Sequence, residues 1–154
     1  MTRRVVVTGM AGITSLGDSW PAVGDALRAG RTGVKYIKEW DKLTDLSTRL
    51  GAPADWYEHE KAYRRQTRRS MGRVATLAVA AAERAVEQAG LTNDPVLKSG
   101  RAGVAAGSSY GSTAPTREFV GFLETGRAGL LNATSYIRMM SHTAPVNLAV
   151  FFGL

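Results

Sequence analysis

The sequence contains no cysteine. This absence excludes a disulfide scaffold, a cysteine-ligated zinc site and a thiol nucleophile within the 154 residues, and it fits a cytoplasmic protein. Histidine is also scarce. The two histidines, His59 and His142, lack metal-ligand spacing, so we expect neither a metal nor another cofactor. We interpret His142 as a buried structural residue and His59 as a surface residue.

Long apolar runs are absent as well. No run approaches the ~20 residues that a membrane-spanning helix needs. The N-terminal run Val5–Val7 is too short for the core of a signal peptide. Hydrophobic residues make up 44% of the chain and charged residues 21%, which is typical of a globular domain and excludes a disordered chain.

Acidic residues are missing from one stretch of the chain, residues 61–73. This stretch carries six of the 20 lysines and arginines, so nearly all of the net charge of +7 comes from it. Nucleic acid is not predicted as the partner, because Tyr63 is the only aromatic residue among these cations and no nucleic-acid-binding motif surrounds them. The patch indicates an acidic protein or a phosphate group as its partner.

Hydrophobic periodicity and turn residues predict strands and helices in the order strand, helix, helix, strand, helix. The strands are continuous apolar runs, as in a parallel sheet buried on both faces. Ser70 is expected to cap the long alanine-rich helix, whose small side chains imply close backbone neighbours, and Gly90 to end it. Residues 31–60 are expected to be irregular and 147–152 buried. The order predicts an α/β chain. The elements span residues 3–8, about 20–29, 71–89, 101–107 and 113–125.

A G-x-S-x-G pattern occurs at Gly107–Gly111, after the second predicted strand. In an α/β-hydrolase this turn would expose Ser109 as a nucleophile. The chemistry also needs an acid and a histidine downstream, and only Glu118 or Glu124 with His142 is available. A small-residue loop against a packed helix is the favoured interpretation, and a serine hydrolase using Ser109 is a distant alternative.

Four segments together resemble the beginning of a 3-oxoacyl-[acyl-carrier-protein] synthase of the elongating type. They are VVVTGMAGITSLG at 5–17, SMGRVATLAVAAAERAVEQAGL at 70–91, GVAAGSSYGS at 103–112 and MMSHTAPVNLAVFFGL at 139–154. They occur in the family's order and extend over the whole chain. The opening VVVTG with its spaced glycines, combined with the closing apolar segment, is the most specific part of the resemblance.

The resemblance implies the thiolase-like α/β fold, with this chain as the N-terminal portion of its first half, layered as helix, sheet and helix. Residues 1–154 would be the N-terminal part of the synthase's N-terminal domain, truncated before the nucleophilic cysteine. The reaction implied is decarboxylative Claisen condensation of malonyl-carrier with an acyl thioester. The catalytic cysteine and histidines would lie beyond Leu154, so the fragment alone is expected to be inactive. A partner subunit without the cysteine, of the chain-length-factor kind, is the non-enzyme alternative.

The resemblance also suggests which residues of this chain contribute to function. Tyr110 falls in the loop that lines the family's acyl tunnel, and Ser135 and Tyr136 fall where residues reach across the dimer toward the partner's tunnel. The basic run matches the region that meets the acidic acyl carrier protein. The implied assembly is a homodimer, or a heterodimer with a related subunit. The docking candidates are Arg65, Arg68 and Arg69.

Overall fold

The computed structural model describes residues 3–54, 63–129 and 131–154. His59 and Lys61 of the sequence analysis lie outside these ranges. The chain divides into two compact units. The smaller unit is Ala11–Tyr57, and the larger one combines Met1–Met10 with Glu58–Leu154.

The smaller unit contains one helix and a two-stranded sheet. Helix α1 (Trp20–Arg28) begins at Ser19, whose side chain accepts from the Ala22 N–H, and has proline in its first turn. The helix is followed by Gly30 in the left-handed region, where φ is 64°. The helix predicted at about 20–29 is therefore confirmed. Strands β1 (Lys35–Tyr36) and β2 (Leu50–Gly51) pair antiparallel.

The larger unit is mainly helical. Each long helix ends at or just before a glycine in the left-handed region, as the sequence pattern predicts. The helix predicted at 113–125 is confirmed residue for residue, and the one at 71–89 is confirmed with slightly shorter bounds. The helices are α2 (Arg65–Arg68), α3 (Arg73–Gln88), α4 (Thr113–Thr125), α5 (Ala133–Met139) and α6 (Thr143–Phe152).

The core of the larger unit lies between α3 and α6. Val79 of α3 is completely buried, and it clusters with Ala75 of the same helix and Leu148 of α6. Phe151 and Phe152 pack against this cluster from the end of α6. Burial of such side chains stabilises the unit by ~1.5–3 kcal/mol for each large aliphatic residue. Helices α3 and α6 therefore pack against each other through this core.

Small residues let the N-terminal segment approach α3 closely, as the alanines of this helix predict. A Cβ on Gly9 would overlap the backbone carbonyl of Ala85. The next residue, Met10, donates its N–H to the Gln88 side-chain oxygen at 2.5 Å. Glycine at position 9 is therefore required by backbone contact with the helix.

The first turn of α3 is capped by a distant loop, so the prediction that Ser70 caps it is wrong. Gly72 occupies the N-cap position, and the Val74 N–H donates to the Ser112 Oγ at 3.2 Å. A Cβ on Gly72 would overlap that hydroxyl. The Ser70 Oγ instead donates to the buried Asn147 Oδ1 at 2.8 Å. Side-chain caps typically contribute ~1 kcal/mol to helix stability, and here the cap also fixes the loop of Ser112 against α3.

The two predicted buried strands are not strands in the described chain, and that prediction is wrong. Residues 3–8 and 101–107 have no regular secondary structure. Val5 is 96% exposed and Val7 77% exposed. An apolar run becomes a strand only when neighbouring backbone completes its hydrogen-bond ladder. Within the described ranges the one sheet is β1–β2, which pairs with neither run.

Candidate functional site

The predicted docking arginines line a cleft between two short helices of the larger unit. Helix α2 and the turn after it form one wall, and the start and last turn of α5 form the other. The cleft encloses about 860 Å³. Its lining residues are Arg65, Gln66, Arg68, Arg69, Met71, Asn132, Thr134 and Arg138.

The wall formed by α2 is anchored to the core on both sides. Before it, the Tyr63 ring meets Phe151 edge-on at 5.6 Å, and the Tyr63 hydroxyl donates to the Glu83 carboxylate. Burial, together with this hydrogen bond, raises the pKa of the Tyr63 hydroxyl, so the group remains a donor at neutral pH. After α2, the buried Met71 packs against α3 and donates its N–H to the Arg68 carbonyl at 3.0 Å. The anchors leave Arg65 exposed at the surface.

The opposite wall is built by a capping box at the start of α5. The Asn132 side chain accepts from the Thr134 N–H at 2.9 Å, and the Asn132 N–H donates to the Ser135 Oγ at 3.2 Å. From the last turn, Arg138 reaches back along the helix. Its Nε donates to the Thr134 carbonyl at 3.3 Å, and its Nη2 lies 3.5 Å from the Ser135 Oγ. The capping box and Arg138 therefore form one connected wall.

The electrostatics of the cleft are strongly positive. Of the eight described residues that line it, four are arginines and none is an aspartate or a glutamate. The nearest carboxylate in the wall's hydrogen-bond network is Glu118, which accepts from the Ser135 Oγ at 3.3 Å, the hydroxyl that the Arg138 Nη2 approaches. Guanidinium groups bind carboxylates and phosphates through paired, charge-assisted hydrogen bonds. The chemistry of the cleft therefore suits an anionic group. Arg65, Arg68 and Arg69 lie together in it, and their docking role stays a prediction.

The three predicted acyl-pocket residues lie on two neighbouring elements. Tyr110 is 50% exposed, and its hydroxyl donates to the Thr116 Oγ1 at 3.0 Å. Tyr136 on α5 is 64% exposed, whereas Ser135 is only 1% exposed and is held in the polar network of Glu118. The loop after Tyr110 contacts α5, because the Ser112 N–H donates to the Arg138 carbonyl at 2.9 Å. Their role in an acyl pocket remains a prediction.

The serine-hydrolase alternative receives no support from the geometry. Ser109 is exposed, and among the described residues no hydrogen bond joins it to a histidine or a carboxylate. The candidate acid Glu118 is bonded to Ser135. His142 is exposed at the start of α6, so the interpretation of a buried His142 is wrong. The error arose because the apolar residues around His142 lie on a helix that has an exposed side.

Within residues 3–54, 63–129 and 131–154, no cluster of three or more acidic or histidine side chains is arranged to hold a metal ion. No helix in the same ranges combines the length and apolar character required to cross a membrane.

Sequence reasoning missed the second wall of the cleft. The spacing of Asn132 and Ser135 fits a capping box and signals the start of α5. No local pattern, however, singles out Arg138, because its place in the cleft depends on how α5 packs against α4 and the loop of Ser112.

Comparisons with known proteins agree with this architecture. A family model described as "Beta-ketoacyl synthase, N-terminal domain" matches residues 2–154. The 3-oxoacyl-[acyl-carrier-protein] synthase 2 of Vibrio cholerae is 31% identical over 129 residues, which cover 84% of this chain and 29% of that protein. This chain thus spans less than a third of that relative's length.

Two solved structures are similar in backbone. A beta-ketoacyl synthase from Burkholderia phymatum has a TM-score of 0.92 at 43% identity, covering 99% of this chain and 38% of that chain. The ishigamide ketosynthase/chain length factor has a TM-score of 0.74 at 26% identity, covering 97% of this chain and 37% of that chain. These matches confirm the thiolase-like fold class implied by the sequence. This chain belongs to the beta-ketoacyl synthase family and matches its N-terminal domain.

Proposed function

We propose that the polypeptide containing this chain is a beta-ketoacyl synthase that condenses malonyl-carrier with an acyl thioester, in fatty-acid or polyketide synthesis. The observation that carries the proposal is the backbone match to a beta-ketoacyl synthase over 99% of the chain at 43% identity. Residues 1–154 would contribute the docking and pocket surfaces. The nucleophilic cysteine and the catalytic histidines would come from the part of the relatives that this chain does not span.

The exposed apolar run Val5–Val7 supports the proposal that this chain works together with a further part of the polypeptide. Contiguous exposed valines are costly in water, and two of them exceed three quarters exposure. We infer that a further segment of the complete polypeptide pairs with this run and makes it a strand. The chain alone would then bind its partner without catalysing condensation.

The partner we propose for the basic cleft is an acidic acyl carrier protein, which Arg65, Arg68 and Arg69 would attract. Steering between a positive patch and a negative one raises the association rate and selects the partner. A dimer in the cytoplasm, formed with a second copy or a related subunit, is part of the same proposal.

A second candidate function is a chain-length-factor-like subunit without the cysteine. It is favoured by the similarity to the ishigamide ketosynthase/chain length factor, at a TM-score of 0.74. The residue at the nucleophile position of the complete polypeptide separates the two functions. An alkylating reagent would label a cysteine there in the enzyme and would leave the partner subunit unlabelled.

The carrier interaction can be tested with the 154-residue chain itself. We expect a fluorescently labelled acyl carrier protein to bind it at low salt and to be released as salt is raised, because screening weakens exposed charge pairs. Anisotropy titration measures this affinity. A neutral variant of the same carrier, with its acidic helix residues changed to amides, is the matched control. Equal binding of both carriers would contradict the proposal.

Tyr110 provides a test of the acyl pocket. In the complete synthase, Tyr110→Ile is expected to shift the preferred acyl chain toward longer substrates, because it removes a ring from the loop proposed to line the tunnel. Tyr110→Phe keeps the ring and loses only the hydrogen bond to Thr116, so its preference should stay near wild type. Relative kcat/KM over a series of acyl thioesters measures the shift. An unchanged preference in the isoleucine variant would remove Tyr110 from the pocket.

A further inference from the structure

We propose that Arg138, on α5, is a fourth docking residue for the acidic partner. The inference rests on the proposed carrier function and extends it to a residue outside the basic run. Arg138 lines the same cleft as Arg65, Arg68 and Arg69 but belongs to α5, whereas they belong to α2 and the turn after it.

The chemistry of the lining favours a protein over a nucleic acid. Among the described residues that line the cleft none is aromatic, whereas single-stranded nucleic acids are typically held by stacking of bases on aromatic rings. The uncharged lining residues Gln66, Asn132 and Thr134 suit the mixed polar surface of a protein. The partner that fits is therefore an acidic protein.

Hydrogen bonds within α5 orient the guanidinium group of Arg138 but use only some of its N–H donors. Arginine has five N–H donors. The Nε donor bonds to the Thr134 carbonyl, and one Nη2 donor is directed at Ser135. These bonds hold the side chain half-buried against α5. The other donors can form the paired bonds with a carboxylate that lysine cannot reproduce.

The test measures carrier affinity for three variants of the chain. Arg138→Gln should weaken binding by ~3- to 10-fold at low salt, and its affinity should depend less on salt, because one charge pair is lost. Arg138→Lys keeps the charge and should lose less than ~3-fold. Arg101→Gln removes an exposed charge outside the cleft and should bind as wild type. Thermal unfolding of each variant shows whether the fold is retained.

Several outcomes would overturn the role of Arg138. One is wild-type affinity and salt dependence for Arg138→Gln while reversal of Arg65 and Arg69 still abolishes binding; the carrier proposal would then stand without Arg138. Equal losses for Arg138→Gln and Arg138→Lys that follow their thermal destabilisation would assign a structural role only. If neither Arg138→Gln nor the charge-reversal variant Arg65→Glu/Arg69→Glu lost carrier binding, both proposals would be overturned. Displacement of the carrier by a single-stranded oligonucleotide at matched charge would assign the cleft to nucleic acid.

Discussion

Replacing Gly111 with alanine is expected to destabilise the larger unit by roughly 3–5 kcal/mol, at the upper end of overpacking effects. A Cβ at this position would overlap the Met139 carbonyl and would lie 2.8 Å from the Arg138 carbonyl. Both obstacles are backbone atoms, so no side-chain rotation relieves the overlap. Either the loop or α5 must move, and the bond between the Ser112 N–H and the Arg138 carbonyl would be lost with that movement.

The matched control is Gly107→Ala, in the same loop. An added Cβ there meets nothing within 4 Å, so its stability should lie within about 0.5 kcal/mol of wild type. Urea denaturation followed by circular dichroism measures both variants. Domains are stable by only ~5–15 kcal/mol, so Gly111→Ala should lower the midpoint strongly or prevent folding. Equal midpoints for the two variants would show that the loop and α5 do not meet as described.

Helices were predictable because their signals are local. Ser19 and Gly30 mark the ends of α1 within the sequence itself, and the helix predicted at 113–125 coincides with α4. The strands at 3–8 and 101–107 failed for the opposite reason. Their apolar pattern indicates a preference for extended backbone. A strand also needs a partner segment, and the described chain provides none for them.

The same contrast between local signals and contacts of distant segments holds for the candidate site. The charge run and the family resemblance together selected Arg65, Arg68 and Arg69 as candidates, and the three line one cleft because they are close in sequence as well as in space. The second wall could not be found in this way, since the place of Arg138 in the cleft depends on how α5 packs against α4 and the loop of Ser112. The cap of α3 by Ser112 is equally non-local. Contacts between distant segments are therefore what sequence reasoning missed, both in the fold and at the site.

Reversing the charge of Arg65 and Arg69 together is expected to weaken carrier binding by ~30- to 100-fold, or about 2–2.7 kcal/mol. Both residues line the cleft and are exposed, so Arg65→Glu/Arg69→Glu should fold normally. Each substitution turns an attraction into a repulsion of the acidic partner. In the complete synthase, KM for the carrier should rise by a similar factor with little change in kcat, because the reacting groups lie elsewhere.

A control of equal charge separates local docking from overall electrostatics. Arg101→Glu/Arg117→Glu changes the net charge by the same amount at exposed positions outside the cleft. Long-range attraction is largely screened at physiological salt, where the Debye length is ~8 Å. The control should therefore lose less than ~3-fold in affinity under those conditions, while the cleft variant keeps its deficit. Equal losses in the two variants would mean that the carrier responds to the net charge of +7 and that the cleft has no specific part in docking.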